Sequence, residues 1–172
     1  MYDKHYIYRK IIMLYKLLLP NKYKKAGWFI LVPATILGII LMLTDFEGMP
    51  LNAKVFAVFN NEILGKSQSF RFIYANVTNT VEGVLFIIGA LLVGFSKEKN
   101  EDEFISNLRL SSLLWAVLVN YVLLIFSFLF IYGTAFLNVM LYNMFTVLII
   151  FIVRFNYVLY RNSKSMSNEE YY

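Results

Sequence analysis

The stretch LSSLLWAVLVNYVLLIFSFLFI, residues 110–131, decides the fold together with AFLNVMLYNMFTVLIIFIV, residues 135–153, which follows the short break Tyr132-Gly133-Thr134. The first run carries no charge over 22 residues, about 33 Å of helix at roughly 1.5 Å per residue. The second is equally uncharged and ends at Arg154. Each is long enough to cross a hydrocarbon core of about 30 Å, and no soluble domain needs two such runs back to back. They read as a transmembrane helical hairpin.

The composition agrees. Of 172 residues, 59% are apolar and only 16% are charged, against about 25% charged in soluble domains. A chain of this length cannot bury that much apolar surface in its own core, so lipid must cover part of it. Cysteine is absent, which excludes disulfides, thiol nucleophiles and Cys-ligated metals together. The net charge of +5 is explained by its placement: seven of the 16 Lys and Arg precede Ala26. A basic flank beside an apolar helix is an orientation signal and an anionic-lipid contact before it is a nucleic-acid site. Membrane lipids are therefore the expected partner, and nucleic acid is not.

Outward from the hairpin, the rest of the chain falls into place. Residues 1–20 mix apolar and basic side chains in runs too short to span; they read as a helix on the membrane surface ended by Pro20, or as a tail held by its charge. Residues 27–44 form a first span, with Trp28 at one interface, Asp45 at the other, and Pro33 tolerated inside it. Residues 45–76 look water-facing. Two β-prone aromatic runs, residues 54–59 and 69–74, are separated by Asn60, Asn61 and Gly65 and predict a small hairpin or compact loop; a short amphipathic helix over residues 56–64 is the alternative. Residues 77–95 form a second span interrupted only by Glu82. Residues 96–109 form a charged turn in which Asn100 and Glu103 have capping-box spacing, so the third helix is expected to start near Glu101. The fourth span runs over residues 135–160, before a polar tail, residues 161–172, expected to fray. The fold class is thus an all-α integral membrane bundle of four spans in a single domain, with an N-terminal interfacial helix and a small extracytoplasmic hairpin or loop. No internal repeat relates the first helix pair to the second.

With four spans, residues 1–26, the 96–109 turn and the C-terminal end share one side. That side carries 13 Lys and Arg, counting Arg154, against three (Lys54, Lys66, Arg71) in the 45–76 segment. Both termini are therefore expected in the cytoplasm, and the 45–76 segment outside.

Candidates for chemistry are few. The single His5 lies in the basic N-terminal tail, and Ser111, Ser112 and Ser127 lack an evident base. No catalytic, metal-binding or cofactor-binding constellation is visible, so no cofactor is expected. An intramembrane polar cluster is expected from Glu82, Asn120, Asn138 and Asn143. Such residues within spans are functional candidates by default. Glu82 also has a structural reading, as a helix cap reaching back to Asn79 or as a hydrogen-bond partner of Asn143. Asn120 must face another helix. Ala90 and Gly94 form a small-xxx-small pair suited to close packing. Glu98, Glu101, Asp102 and Glu103 form a candidate partner-docking turn. Lys22, Lys24, Lys25, Arg154 and Arg161 are placed to contact lipid headgroups, Arg154 by snorkelling.

Read together, LPNKYKKAGW (19–28), FSKEKNEDEF (95–104), WAVLVNY (115–121) and YNMFT (142–146) through RFNY (154–157) resemble small, uncharacterised bacterial inner-membrane proteins with about four spans. The resemblance covers most of the chain. It implies a bacterial cytoplasmic membrane and carries no activity. The function expected is a non-catalytic component that docks a protein partner, senses or regulates, alone or as a homo-oligomer. The alternative is a small transporter or channel subunit whose polar path includes Glu82, Asn120 and Asn143.

Overall fold

A computed structural model describes residues 18–44, 51–60 and 68–169. The expected interfacial helix lies outside these except for residues 18–20, and His5 lies outside them too. The described chain forms α1 (Lys22–Leu43), β1 (Asn52–Asn60), β2 (Gln68–Asn76), α2 (Thr78–Gly94), α3 (Glu103–Phe130) and α4 (Thr134–Glu169). Three of the four helices are long and apolar enough to cross a membrane: α1, α3 and α4 over Thr134–Lys164. α2 is apolar but shorter, at 17 residues. Contacts divide the chain into two units, one of residues 1–29 and 87–172 and one of residues 30–86.

In the first unit α3 and α4 form the helical hairpin read from the sequence. Neither helix contains glycine or proline, so nothing inside them interrupts the hydrogen-bond ladder. The break falls where glycine permits it: Ile131 leaves α3 in an extended conformation, and Gly133 turns at φ 70°. The buried face of α3 is the stripe Ile105, Arg109, Ser112, Ala116 and Asn120, spaced by three and four residues. α4 contributes Phe151, Ile152 and Phe155 to the core, and α2 contributes Ala90 and Val93. Phe151 stacks on Phe155 at 6.1 Å and meets Phe95 at 5.9 Å. Two glycines set the closest approaches. A Cβ on Gly27 would stand 2.8 Å from both Leu92 Cβ and the Val93 nitrogen, and one on Gly94 would stand 2.5 Å from the Phe151 ring.

Several helix boundaries differ from expectation, each for a local reason. α3 starts at Glu103, because Asp102 and not Asn100 is the cap: its Oδ1 accepts from the Ile105 N–H at 2.7 Å. α4 continues to Glu169 through the tail expected to fray, since the segment holds no helix breaker. Residues 18–20 are not helical. The Leu19 N–H donates to the Phe95 carbonyl and the Leu19 carbonyl accepts from Lys97, both at 2.9 Å, so this segment pairs in parallel beside Ser96.

In the second unit, residues 30–43 of α1 bury Leu31, Ala34 and Leu41 along one face. Gly38 lies on that face, and a Cβ there would meet the Glu82 carboxylate of α2 at 2.7 Å. The hairpin forms in preference to the amphipathic helix. β1 and β2 pair antiparallel from Asn52↔Asn76 through Phe56↔Phe72 to Asn60↔Gln68. Its root is tied directly to α2. The Val77 N–H donates to the Leu51 carbonyl at 2.9 Å, and the Leu51 N–H donates to Thr78 Oγ1 at 3.0 Å. Asn76 Oδ1 accepts from the Thr78 N–H at 3.0 Å and from its hydroxyl at 2.6 Å, a side-chain cap that starts the helix.

Candidate functional site

The hairpin has two unlike faces, because directly paired residues share a side and successive ones alternate. One side presents Lys54 opposite Tyr74 and Phe56 opposite Phe72. Tyr74 is 81% exposed, Phe72 66% and Phe56 54%. The Phe56 and Phe72 rings meet edge to face at 5.3 Å, and the Lys54 ammonium lies 5.7 Å from the centre of the Phe72 ring. Phe70, at φ 54°, adopts a backbone conformation that aromatic residues rarely take; its ring lies 6.5 Å from Phe56 and 6.3 Å from Phe59. The other side carries the half-buried Ala53, Val55, Ala57, Ile73 and Ala75.

The acidic turn is built differently from a free docking surface. Glu101 accepts from Arg109 with both oxygens, at 2.8 and 3.1 Å, and Arg109 also donates to the Ser96 carbonyl at 3.2 Å. The two side chains are 8% and 7% exposed, so this is a buried, two-pronged ion pair. Glu101 Oε2 accepts as well from the Glu98 N–H at 2.7 Å. Glu98 itself pairs with Lys24, one of three lysines in the first turn of α1, where the helix dipole disfavours positive charge. Lys24 also donates to Asn156 Oδ1 at 3.4 Å, and Asn21 donates to the Lys97 carbonyl at 2.7 Å. The Phe155 ring lies beneath both cations, 5.1 Å from Arg109 and 5.8 Å from Lys24. Of the four acids in the candidate docking turn, three are therefore occupied within the chain, and Glu103 is exposed.

Of the expected polar cluster, Asn120 and Asn143 come together. Asn120 donates to Asn143 Oδ1 at 3.3 Å, and Asn143 donates back at 3.1 Å. Asn120 is buried and Asn138 is exposed. The amide of Asn143 is thus used by Asn120. Glu82 is the fifth residue of α2, and the cap expected from Asn79 does not form because Asn76 starts the helix. Among the proposed lipid contacts, Lys22, Lys25 and Arg161 are exposed, whereas Lys24 is spent on Glu98. Arg154 is half-buried, its guanidinium 4.5 Å from the centre of the Trp115 ring.

The buried pair Glu101–Arg109 escaped sequence reasoning, which placed Arg109 only at the end of the charged turn, residues 96–109. A signal was present: Arg109 falls on the stripe shared with Ile105, Ser112, Ala116 and Asn120, where an unpaired charge would be costly. Ser112 Oγ and Arg109 Nε are buried without a hydrogen-bond partner among the described residues. The Ser127 hydroxyl donates to the Leu123 carbonyl at 2.9 Å. Among the described residues, no group of three His, Cys, Asp or Glu side chains is placed to hold a metal ion. No protein-family model, curated protein or solved structure matches the chain.

Proposed function

We propose that this chain is a non-catalytic integral membrane protein that crosses the bilayer four times and acts through its external hairpin, as a docking, sensory or regulatory component. The observation that carries the reading is the hairpin face of Phe56, Phe72 and Tyr74, exposed on an element rooted in the first turn of α2. Only 11% of the apolar window of α3, and of α4, is buried, which leaves most of that surface for lipid. α2, at 17 residues or about 26 Å, lies at the short end of spanning lengths. The 13-to-three distribution of Lys and Arg supports cytoplasmic termini and an external hairpin. The resemblance to uncharacterised bacterial inner-membrane proteins supports a bacterial cytoplasmic membrane.

The acidic turn is a poorer contact surface, because a partner would compete with Arg109, Lys24 and the α3 cap for its carboxylates. The buried Asn120 amide and the half-buried Asn143 amide satisfy each other, which favours helix-to-helix glue over a polar path. The test is gentle detergent extraction of the tagged protein from native membranes, followed by mass spectrometry of the proteins and lipids that co-purify. The expected result is a bound species lost in the double variant Phe56→Ser, Phe72→Ser and kept in Glu103→Gln. Identical co-purification from all three proteins contradicts the reading.

A further inference from the structure

We infer that the aromatic face of the hairpin lies on an anionic lipid surface, with Phe56, Phe72 and Tyr74 among the headgroups and upper acyl chains and Lys54 at a lipid phosphate. This rests on the membrane insertion proposed above and names the partner of the same surface. Leu51, just before β1, and Asn76, the last residue of β2, hydrogen-bond to Val77 and Thr78, so no linker separates hairpin from helix. α2 has 17 residues, about 26 Å against a hydrocarbon core of about 30 Å. A spanning helix shorter than the core draws the bilayer to its ends, so its first turn lies at the membrane interface and the hairpin root goes with it.

Lys54 and Tyr74, the residues that suit a headgroup, face each other next to the root, and Phe56 and Phe72 follow on the same side. On the aromatic side the only charged residue of the two strands is Lys54, whose ammonium complements lipid phosphate, and Arg71, paired with Ala57, lies on the other side. Aromatic rings with a snorkelling lysine match the interfacial belt. A two-stranded hairpin is marginal in water, and standing free it would hold four phenylalanine rings in solvent. A bilayer tethered at the root is present at high effective concentration without any search.

The chain has no cysteine, so single labelled positions are available in the full-length protein. An environment-sensitive fluorophore is attached at Phe56→Cys, Phe72→Cys or Tyr74→Cys, and for the opposite side at Ala57→Cys or Ala75→Cys. Each protein is placed in nanodiscs of phosphatidylglycerol and phosphatidylethanolamine, or of phosphatidylcholine alone. Blue-shifted emission, quenched by brominated lipid and protected from iodide, is expected at 56, 72 and 74 in the anionic discs. The opposite side should show less lipid quenching. Lys54→Glu should raise iodide access on the aromatic side, while Arg71→Gln should not. Iodide quenching without lipid quenching at 56, 72 and 74 overturns the inference and returns the surface to a protein partner. Excimer formation between pyrene-labelled copies at 72 overturns it in favour of self-association. Alkaline extraction of the same protein from vesicles reads insertion separately: release into the supernatant overturns both the inference and the reading beneath it.

Discussion

Three glycines show how differently one added methyl group is felt. At Gly27 the Cβ would meet the Val93 backbone nitrogen at 2.8 Å, which can yield only if two helices separate. At Gly94 it would meet the ring of Phe151, which is fully buried. At Gly38 it would meet only the far end of the Glu82 side chain, which can swing aside. Overpacking costs about 1–3 kcal/mol where neighbours are fixed. Thermal melts in detergent should therefore rank Gly27→Ala as most damaging, then Gly94→Ala, with Gly38→Ala close to wild type. A Gly38→Ala variant as unstable as Gly27→Ala would contradict the packing described. The buried ion pair makes a second demand. Arg109→Ala leaves Glu101 buried and uncompensated, a loss of about 3–5 kcal/mol, whereas the double change Arg109→Met, Glu101→Leu should recover most of it. If the double variant melts no higher than the single one, the pair is not what holds that end of α3. The Asn120–Asn143 bond is worth less. A double-mutant cycle to alanine should give a coupling of about 1 kcal/mol, and zero coupling would remove the bond from the account.

At the scale of elements, α3 starts where Asp102 accepts from Ile105 and not where the Asn100–Glu103 spacing pointed. Asp102→Ala should cost about 1 kcal/mol, and Asn100→Ala almost nothing, in the same melts. The reversed order would restore the sequence-based cap. The helices were legible in the sequence because they rest on local signals, uncharged runs and a glycine at the 132–134 break, whereas the start of α2 was read at an Asn79 cap and is made by Asn76. The two strands were legible from β-branched and aromatic clustering, although the aromatic side of the hairpin required the observed register. What stayed hidden was tertiary. Glu101 is eight residues from Arg109 and Lys24 is 74 residues from Glu98, so no local pattern joins them. Asn100 and Asp102 are both chemically able to cap a helix, and the local sequence alone does not choose between them. The polar candidates divided for the same reason: Asn120 and Asn143 pair across the helical hairpin, while Asn138 stays exposed.

For the whole molecule, the central claim is topological: four crossings, the hairpin outside, and the acidic turn and C-terminal end of α4 inside. It joins the long apolar helices to the asymmetry of basic charge and assigns the hairpin its surroundings. The absence of cysteine makes the claim directly readable by single-cysteine accessibility in intact cells, using a membrane-impermeant maleimide at three exposed positions. The account predicts that Asn52→Cys, at the hairpin root, is labelled in intact cells. It predicts that Lys99→Cys, in the acidic turn, and Ser163→Cys, in α4, are labelled only after the membrane is permeabilised. Labelling of Lys99→Cys or Ser163→Cys in intact cells, or of Asn52→Cys only after permeabilisation, would contradict it.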